Sequence, residues 1–204
     1  LQAAKEAKVK RVVFASSSSI YGEADKLPQK EDFYPLLVSP YALTKLAGEY
    51  YCRIFSIGYG LETVSLRYFN VFGPKQSLEN EYAVVIPKFI TCMLQNEPVP
   101  IYGTGRQSRD FTYVSNVVEA NILAARKANC NGEVFNIASG KDYSILELTK
   151  ILNRIMKKDI KPSDTKYADF IKDFSKGKYN IPLQFVGNTS GLTTVGTYYY
   201  RVHA

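Results

Sequence analysis

The chain has 204 residues, 46% of them apolar, which is enough for one substantial core and too little to presume two full domains. Its net charge of +7 is spread over short groups such as Lys5, Lys8 and Lys10 or Lys157, Lys158 and Lys161, a pattern of solvated helix faces that excludes a nucleic-acid stripe. One histidine, His203, and three distant cysteines, Cys52, Cys92 and Cys130, exclude a disulfide framework, a metal site and a Ser/His/Asp triad, leaving proton chemistry to Tyr, Lys, Asp, Glu or Ser.

Residues 1–9 read as the end of a helix, without the apolar h-region of an export signal, and no run of eighteen apolar residues follows. A soluble cytoplasmic protein with no membrane partner is expected. Arg11 to Ala15 is a short apolar run of the kind found in a doubly covered parallel strand. From Pro40 to about Ile57, Leu43, Leu46, Ala47, Tyr50 and Ile54 recur at helical spacing, with a stop at Gly58-Tyr59-Gly60. Leu61 to Phe69 alternates as a strand and runs into a loop at Gly73-Pro74, so strand, helix and strand form a βαβ crossover. Pro87 to Leu94 is a short helix. Asn116 and Glu119 predict a cap for another that runs to about Lys127. Glu133 to Ala138 is a strand, and Ser144 with Glu147 forms a capping box for the helix after it. Beyond Lys161 the pattern has no clear period.

Tyr41 and Lys45 stand four apart near a helix start, which puts them on one face a turn apart. A cation at that distance stabilises a phenolate, the form able to take a proton from a hydroxyl. Taken alone, the pair reads sooner as a core-facing tyrosine and a solvated lysine, because this spacing is common by chance. The serines at 16–19 directly follow a strand, where open α/β sheets bind ligands, although a serine-rich turn explains them as well.

Four motifs decide between these readings: Phe-Ala-Ser-Ser-Ser-Ser-Ile-Tyr-Gly (14–22), Ser-Pro-Tyr-Ala-Leu-Thr-Lys (39–45), Leu-Arg-Tyr-Phe-Asn-Val-Phe-Gly-Pro (66–74) and Arg-Asp-Phe-Thr-Tyr-Val (109–114). In this order they resemble extended short-chain dehydrogenase/reductases of the NAD-dependent epimerase/dehydratase family, UDP-sugar 4-epimerase group. The resemblance covers about residues 1–160. It implies an α/β fold with a Rossmann-like parallel sheet and a small C-terminal substrate-binding lobe. The expected parts are the second half of the NAD-binding domain at 1–72, a nucleotide-sugar-binding region mixed with returning strands at 73–160, and a divergent tail at 161–204.

By the same resemblance Ser17, Tyr41 and Lys45 are catalytic, and Ser16, Tyr41, Lys45 and Tyr68 bind NAD. Ser17, Ser18, Asn70, Val85, Ile86, Tyr102 and Arg109 bind a UDP-sugar. Tyr41 exchanges the proton of the C4 hydroxyl, Lys45 holds ribose hydroxyls and favours the phenolate, and Arg109 grips the diphosphate. The implied activity is UDP-sugar 4-epimerisation, on UDP-glucose/UDP-galactose or the N-acetylhexosamine pair, with bound NAD and a transient 4-keto sugar. A homodimer is the family expectation. Sugar-nucleotide 4,6-dehydratases of the superfamily usually carry Asp-Glu where Ser18 and Ser19 stand, and serine cannot serve as their acid and base near neutral pH.

The sequence departs from the family in three places. It holds no glycine-rich phosphate-binding fingerprint, it has Ser115 where many relatives have an acid, and Lys166-Tyr167-Ala168-Asp169 lacks the expected second arginine. A UDP-glucuronate 4-epimerase or related decarboxylase is one alternative. A truncated nucleotide-sugar-binding remnant is the other.

Overall fold

In the computed structural model residues 1–22, 27–77 and 85–165 are described, so Lys166 to Asp169, His203 and the rest of the tail lie outside the described residues. The chain forms two compact units. One takes in Leu1–Gly73 and Asp110–Lys141, the other Pro74–Arg109 and Asp142–Ala204.

The first unit is organised around a buried strand, β2 (Glu62–Tyr68), in which five consecutive residues from Thr63 to Arg67 are buried. Such a run, without alternation, is what a strand covered on both faces requires. It pairs in parallel with β1 (Arg11–Ser17) on one side and β6 (Glu133–Ile137) on the other. Arg11 stands opposite Glu62 and bridges to it at 2.7 Å, so the first pair of the register is marked by an ion pair. Val64 and Leu66 form a cluster with Ala124 and Cys130, against which Val13, Tyr68, Ala120 and Ile137 pack.

The crossover from β1 to β2 is the expected helix, α2 (Pro40–Tyr59). Ser39 caps it by accepting a bond from the Ala42 amide at 3.1 Å, and Pro40 occupies the first turn, where a missing N–H costs nothing. Gly58 does not stop it. The left-handed residue is Gly60, at φ 69°, whose amide returns to the Phe55 carbonyl. A short α1 (Gln2–Glu6) precedes β1. Strand β3 (Asn70–Phe72) pairs in parallel with the end of β5 (Ser108–Tyr113).

Helix α4 (Val114–Arg126) corrects the cap read at Asn116. Strand β5 runs straight into the helix with no intervening loop, so Tyr113 takes the cap position with no side-chain cap bond, and Asn116 falls inside the first turn. In the second unit α3 (Val85–Leu94) takes in the helix expected from Pro87 to Leu94 and buries Ile86, Phe89 and Met93. It packs on α5 (Ile145–Met156) and on β4 (Val99–Tyr102), which pairs in parallel with β8 (Pro162–Thr165). A three-residue strand, β7 (Asp142–Ser144), leads into α5, and there the capping box is present as read: the Ser144 hydroxyl accepts from the Glu147 amide at 3.2 Å while the carboxylate accepts from the Ser144 amide at 2.8 Å.

Among the described residues no helix is long and apolar enough to cross a membrane, and no cluster of His, Cys, Asp or Glu is arranged to hold a metal ion.

Candidate active site

In the first unit the C-terminal end of β1 breaks into a single tight turn, Ser18–Tyr21. Ser17 makes the break, since its Oγ accepts from the Ser19 amide at 3.2 Å and so replaces a backbone partner at the turn's start. The Ser17 hydroxyl proton has no acceptor among the described residues. Gly22 closes the turn at φ 56°, and a Cβ there would lie 1.7 Å from the Leu36 carbonyl oxygen, which only glycine avoids.

Helix α2 packs against both β1 and this turn. Its first turn carries Tyr41, exposed, and its second carries Lys45, whose Nζ donates to the Ala15 carbonyl at 2.9 Å. The ammonium lies 5.4 Å from the centre of the Tyr41 ring and 5.6 Å from that of Phe14. A carbonyl of β1, two residues before Ser17, therefore holds the cation beside the phenol. The structure thus gathers Ser17, Tyr41 and Lys45 on two adjoining elements.

The other residues of this unit have definite partners. Ser16 is buried and donates to Glu49 Oε1 at 2.5 Å. Tyr68 donates through its hydroxyl to Asn121 Oδ1 at 2.9 Å, and Asn70, at the start of β3, donates to the Asp110 carbonyl at 3.0 Å. Ser18 opens the turn.

In the second unit Val85 and Ile86 open α3, half-buried and buried respectively. Tyr102 ends β4, with Lys88 Nζ 3.4 Å from its hydroxyl and Gln107 Nε2 donating to its carbonyl at 2.8 Å. Arg109 is exposed and bonds the Ser108 carbonyl at 2.7 Å; no carboxylate pairs with it among the described residues. These four belong to one unit and the Ser17, Tyr41 and Lys45 group to the other.

Two features escaped the sequence reading. The first is a buried ion pair: Arg67 on β2 donates to both oxygens of Glu49 on α2, at 2.9 and 2.8 Å, and each side chain is 5% exposed. Arg67 also donates to the Tyr21 hydroxyl at 2.8 Å, which passes its own proton to Asn136 Oδ1 at 2.6 Å. Burial works against the guanidinium charge, but the hydrogen bonds to Glu49 and Tyr21 and the Glu49 charge outweigh it and raise the Arg67 pKa above its ordinary value. Burial also raises the Tyr21 phenol, against the pull of Arg67. A charged residue within an apolar strand was the available signal, because it obliges a partner.

The second is Asp110. Its carboxylate accepts from the amide and hydroxyl of Ser139, both at 2.8 Å, and from the Gly140 amide at 2.7 Å, fastening the turn after β6 to β5. Burial pushes up the thiols of Cys52 and Cys92.

A family model described as the NAD dependent epimerase/dehydratase family matches residues 1–138. The chain is 42% identical over 145 residues to a putative UDP-glucose 4-epimerase of Methanocaldococcus jannaschii, covering 71% of this chain and 46% of that protein. A solved UDP-N-acetylglucosamine 4-epimerase from Methanobrevibacter ruminantium M1, in complex with UDP-N-acetylmuramic acid, is 45% identical with a TM-score of 0.76, covering 81% of this chain and 54% of that one. A UDP-glucuronic acid 4-epimerase from Bacillus cereus in complex with NAD is 33% identical with a TM-score of 0.74, over 89% of this chain and 60% of the other. The chain spans about half the length of the curated relatives it matches. The matched residues run from α1 through β6 and include the serine turn and the Tyr41/Lys45 helix, and the chain belongs to the NAD dependent epimerase/dehydratase family.

Proposed function

We propose that the chain is the catalytic and sugar-nucleotide-binding part of a UDP-sugar 4-epimerase, acting on UDP-glucose and UDP-galactose or on the N-acetylhexosamine pair. The observation that carries this reading is the Lys45 ammonium, held by the Ala15 carbonyl 5.4 Å from the Tyr41 ring, beside the strand end that bears Ser17. NAD is the cofactor of the family, and the donor set here fits its nicotinamide-ribose end: Lys45 spends one proton on Ala15 and keeps others for ribose hydroxyls. The 204 residues contain no glycine-rich fingerprint for the pyrophosphate, so they account for that end alone.

What NAD supplies when bound is reversible acceptance of a hydride. The protein's own part is proton transfer and positioning. Tyr41 exchanges the proton of the C4 hydroxyl, with the Lys45 ammonium beside its ring. Ser17 donates its uncommitted proton to the same sugar oxygen. Ser18 and Ser19 offer no acid or base for elimination, which leaves C5 and C6 intact. In the second unit Arg109 meets the diphosphate with a fork of permanently charged donors, while Val85, Ile86 and Tyr102 contact the nucleotide.

The test is conversion of UDP-galactose to UDP-glucose with added NAD. General acid–base contributions are on the order of 100- to 10,000-fold, so Tyr41→Phe should lose at least about 100-fold in kcat. A Tyr41→Phe protein that converts as well as the unaltered chain would sink the mechanism. UDP-N-acetylglucosamine and UDP-glucuronate run in parallel identify the sugar; the likeness to the Bacillus cereus enzyme makes glucuronate the second reading. Calorimetric binding of UDP-sugar with no turnover would mark a binding remnant instead.

A homodimer belongs to the same proposal. Tyr50, Ile54 and Ile57 are exposed on α2 at the spacing of a single helix face, a surface suited to burial against a second copy.

A further inference from the structure

Along α2, Tyr41, Lys45 and Glu49 follow one another at four-residue intervals and so share a face of the helix. The third of them is the acid that holds Arg67. Glu49 also receives the Ser16 hydroxyl, and Arg67 also reaches the Tyr21 hydroxyl. Ser16 and Tyr21 flank the segment that carries Ser17 and Ser18. Both ends of that segment are therefore tied to one ion pair, whose acid stands one turn beyond Lys45. The Tyr21 hydroxyl continues to Asn136 on β6, and the Asn136 side chain donates to the Gln29 carbonyl at 3.0 Å while its amide donates to Glu31 at 2.8 Å. Arg67 adds a bond to the Glu31 carbonyl at 3.2 Å.

Stability gives no sufficient reason for such an arrangement. Removing two charges from water is expensive, and apolar pairs of similar volume commonly serve a core as well or better. What an apolar pair cannot do is fix direction, because the forked guanidinium and the carboxylate accept partners only along set lines.

We infer that Glu49 and Arg67 are positioning residues that hold the serine turn in register with the helix face bearing Tyr41 and Lys45. The inference rests on the epimerase reading for its effect on turnover, and on the geometry alone for its effect on the turn. Both side chains are only 5% exposed, so the pair acts through the turn: it sets where Ser17 stands relative to the phenol, an error of about 1 Å in which is enough to cost on the order of 100-fold in rate.

The experiment uses the whole chain with Glu49→Met and Arg67→Met combined, and separately Tyr21→Phe, which removes one tie and leaves the ion pair in place. The first readout is amide hydrogen exchange. The Ser19 amide, bonded to Ser17 Oγ, and the Gly22 amide, bonded to the Ser19 carbonyl, should exchange at least about 10-fold faster in both variants, while the amides of α5 keep their rates. The second is kinetic: kcat falls by about 10-fold or more with KM for the UDP-sugar within about 2-fold, since a positioning loss is felt in the transition state and not in nucleotide binding. Unchanged exchange at Ser19 and Gly22 in a folded double variant overturns the inference, as does wild-type kcat. If the double variant does not fold, Tyr21→Phe decides by the same exchange criterion. If the unaltered chain epimerises no sugar, the epimerase reading falls and the exchange rates still decide the positioning role.

Discussion

At Gly48 the helix that bears Tyr41 and Lys45 comes so close to β1 that a Cβ would lie 2.2 Å from the Phe14 ring. Alanine there should help the helix by about 1 kcal/mol through propensity, yet it forces an aromatic ring out of its place at a cost of about 1–3 kcal/mol. The expected outcome for Gly48→Ala is a net loss of stability on the order of 1 kcal/mol, read from the urea midpoint at constant m-value. A neutral or stabilised variant would mean that the ring swings aside freely. The residues around this contact also show what a sequence conceals. That Tyr41 and Lys45 share a helix face was legible because their spacing states a relation within one helix. Glu49 was not, since an acid four residues before Arg53 reads as an ordinary solvated pair, whereas its partner Arg67 stands on another element.

Among the elements, those with long periodic patterns or explicit caps were readable: α2, α5, β1, β2 and β6. The strands of three or four residues, β3, β4, β7 and β8, carry too few alternations to announce themselves. The cap misread at Asn116 has the same origin, because a capping pattern says nothing of whether a loop precedes it. At α5 the pattern was right, and it yields a pH prediction. The Glu147 carboxylate has its pKa lowered from 4.5 chiefly by the Ser144 amide and then by the Ser144 hydroxyl. A depressed folded pKa contributes stability that is present above the unfolded value and lost as pH falls through the folded one. Glu147→Gln should therefore be less stable than the unaltered chain at pH 7, with the difference shrinking as pH drops below 4.5. A difference constant from pH 7 to pH 3 in thermal midpoints would refute the capping role. On α2 the exposed face predicts assembly: Ile54→Asp should shift the chain to monomer by sedimentation at micromolar concentration, and an unchanged mass would place the interface elsewhere.

For the molecule as a whole, the α/β class and the parallel crossover were legible because β1, α2 and β2 follow one another in the chain as strand, helix and strand. The chain passes between the two units at residues 73, 109 and 141, so each is assembled from separate stretches, a return that local periodicity does not announce. That weaving also divides the residues proposed to bind substrate from their neighbours: Arg109 ends a stretch of one unit, and Asp110 opens a stretch of the other.

The parallel register has a consequence in time. Arg11 and Glu62, which open the β1–β2 pairing, are 51 residues apart, and the Asn131 side chain that receives the Thr63 amide is 68 residues from it. The most buried strand thus depends on partners that leave the ribosome long before and long after it. Loop closure over such separations is slow, and mixed α/β chains of this kind refold in roughly milliseconds to seconds. Until Glu133 to Ile137 is made, Val64 and Leu66 lie in a strand with one unpaired edge. A chain ended before Glu133 should scatter light at micromolar concentration where the full chain stays clear, because only the pairing of β6 closes that edge.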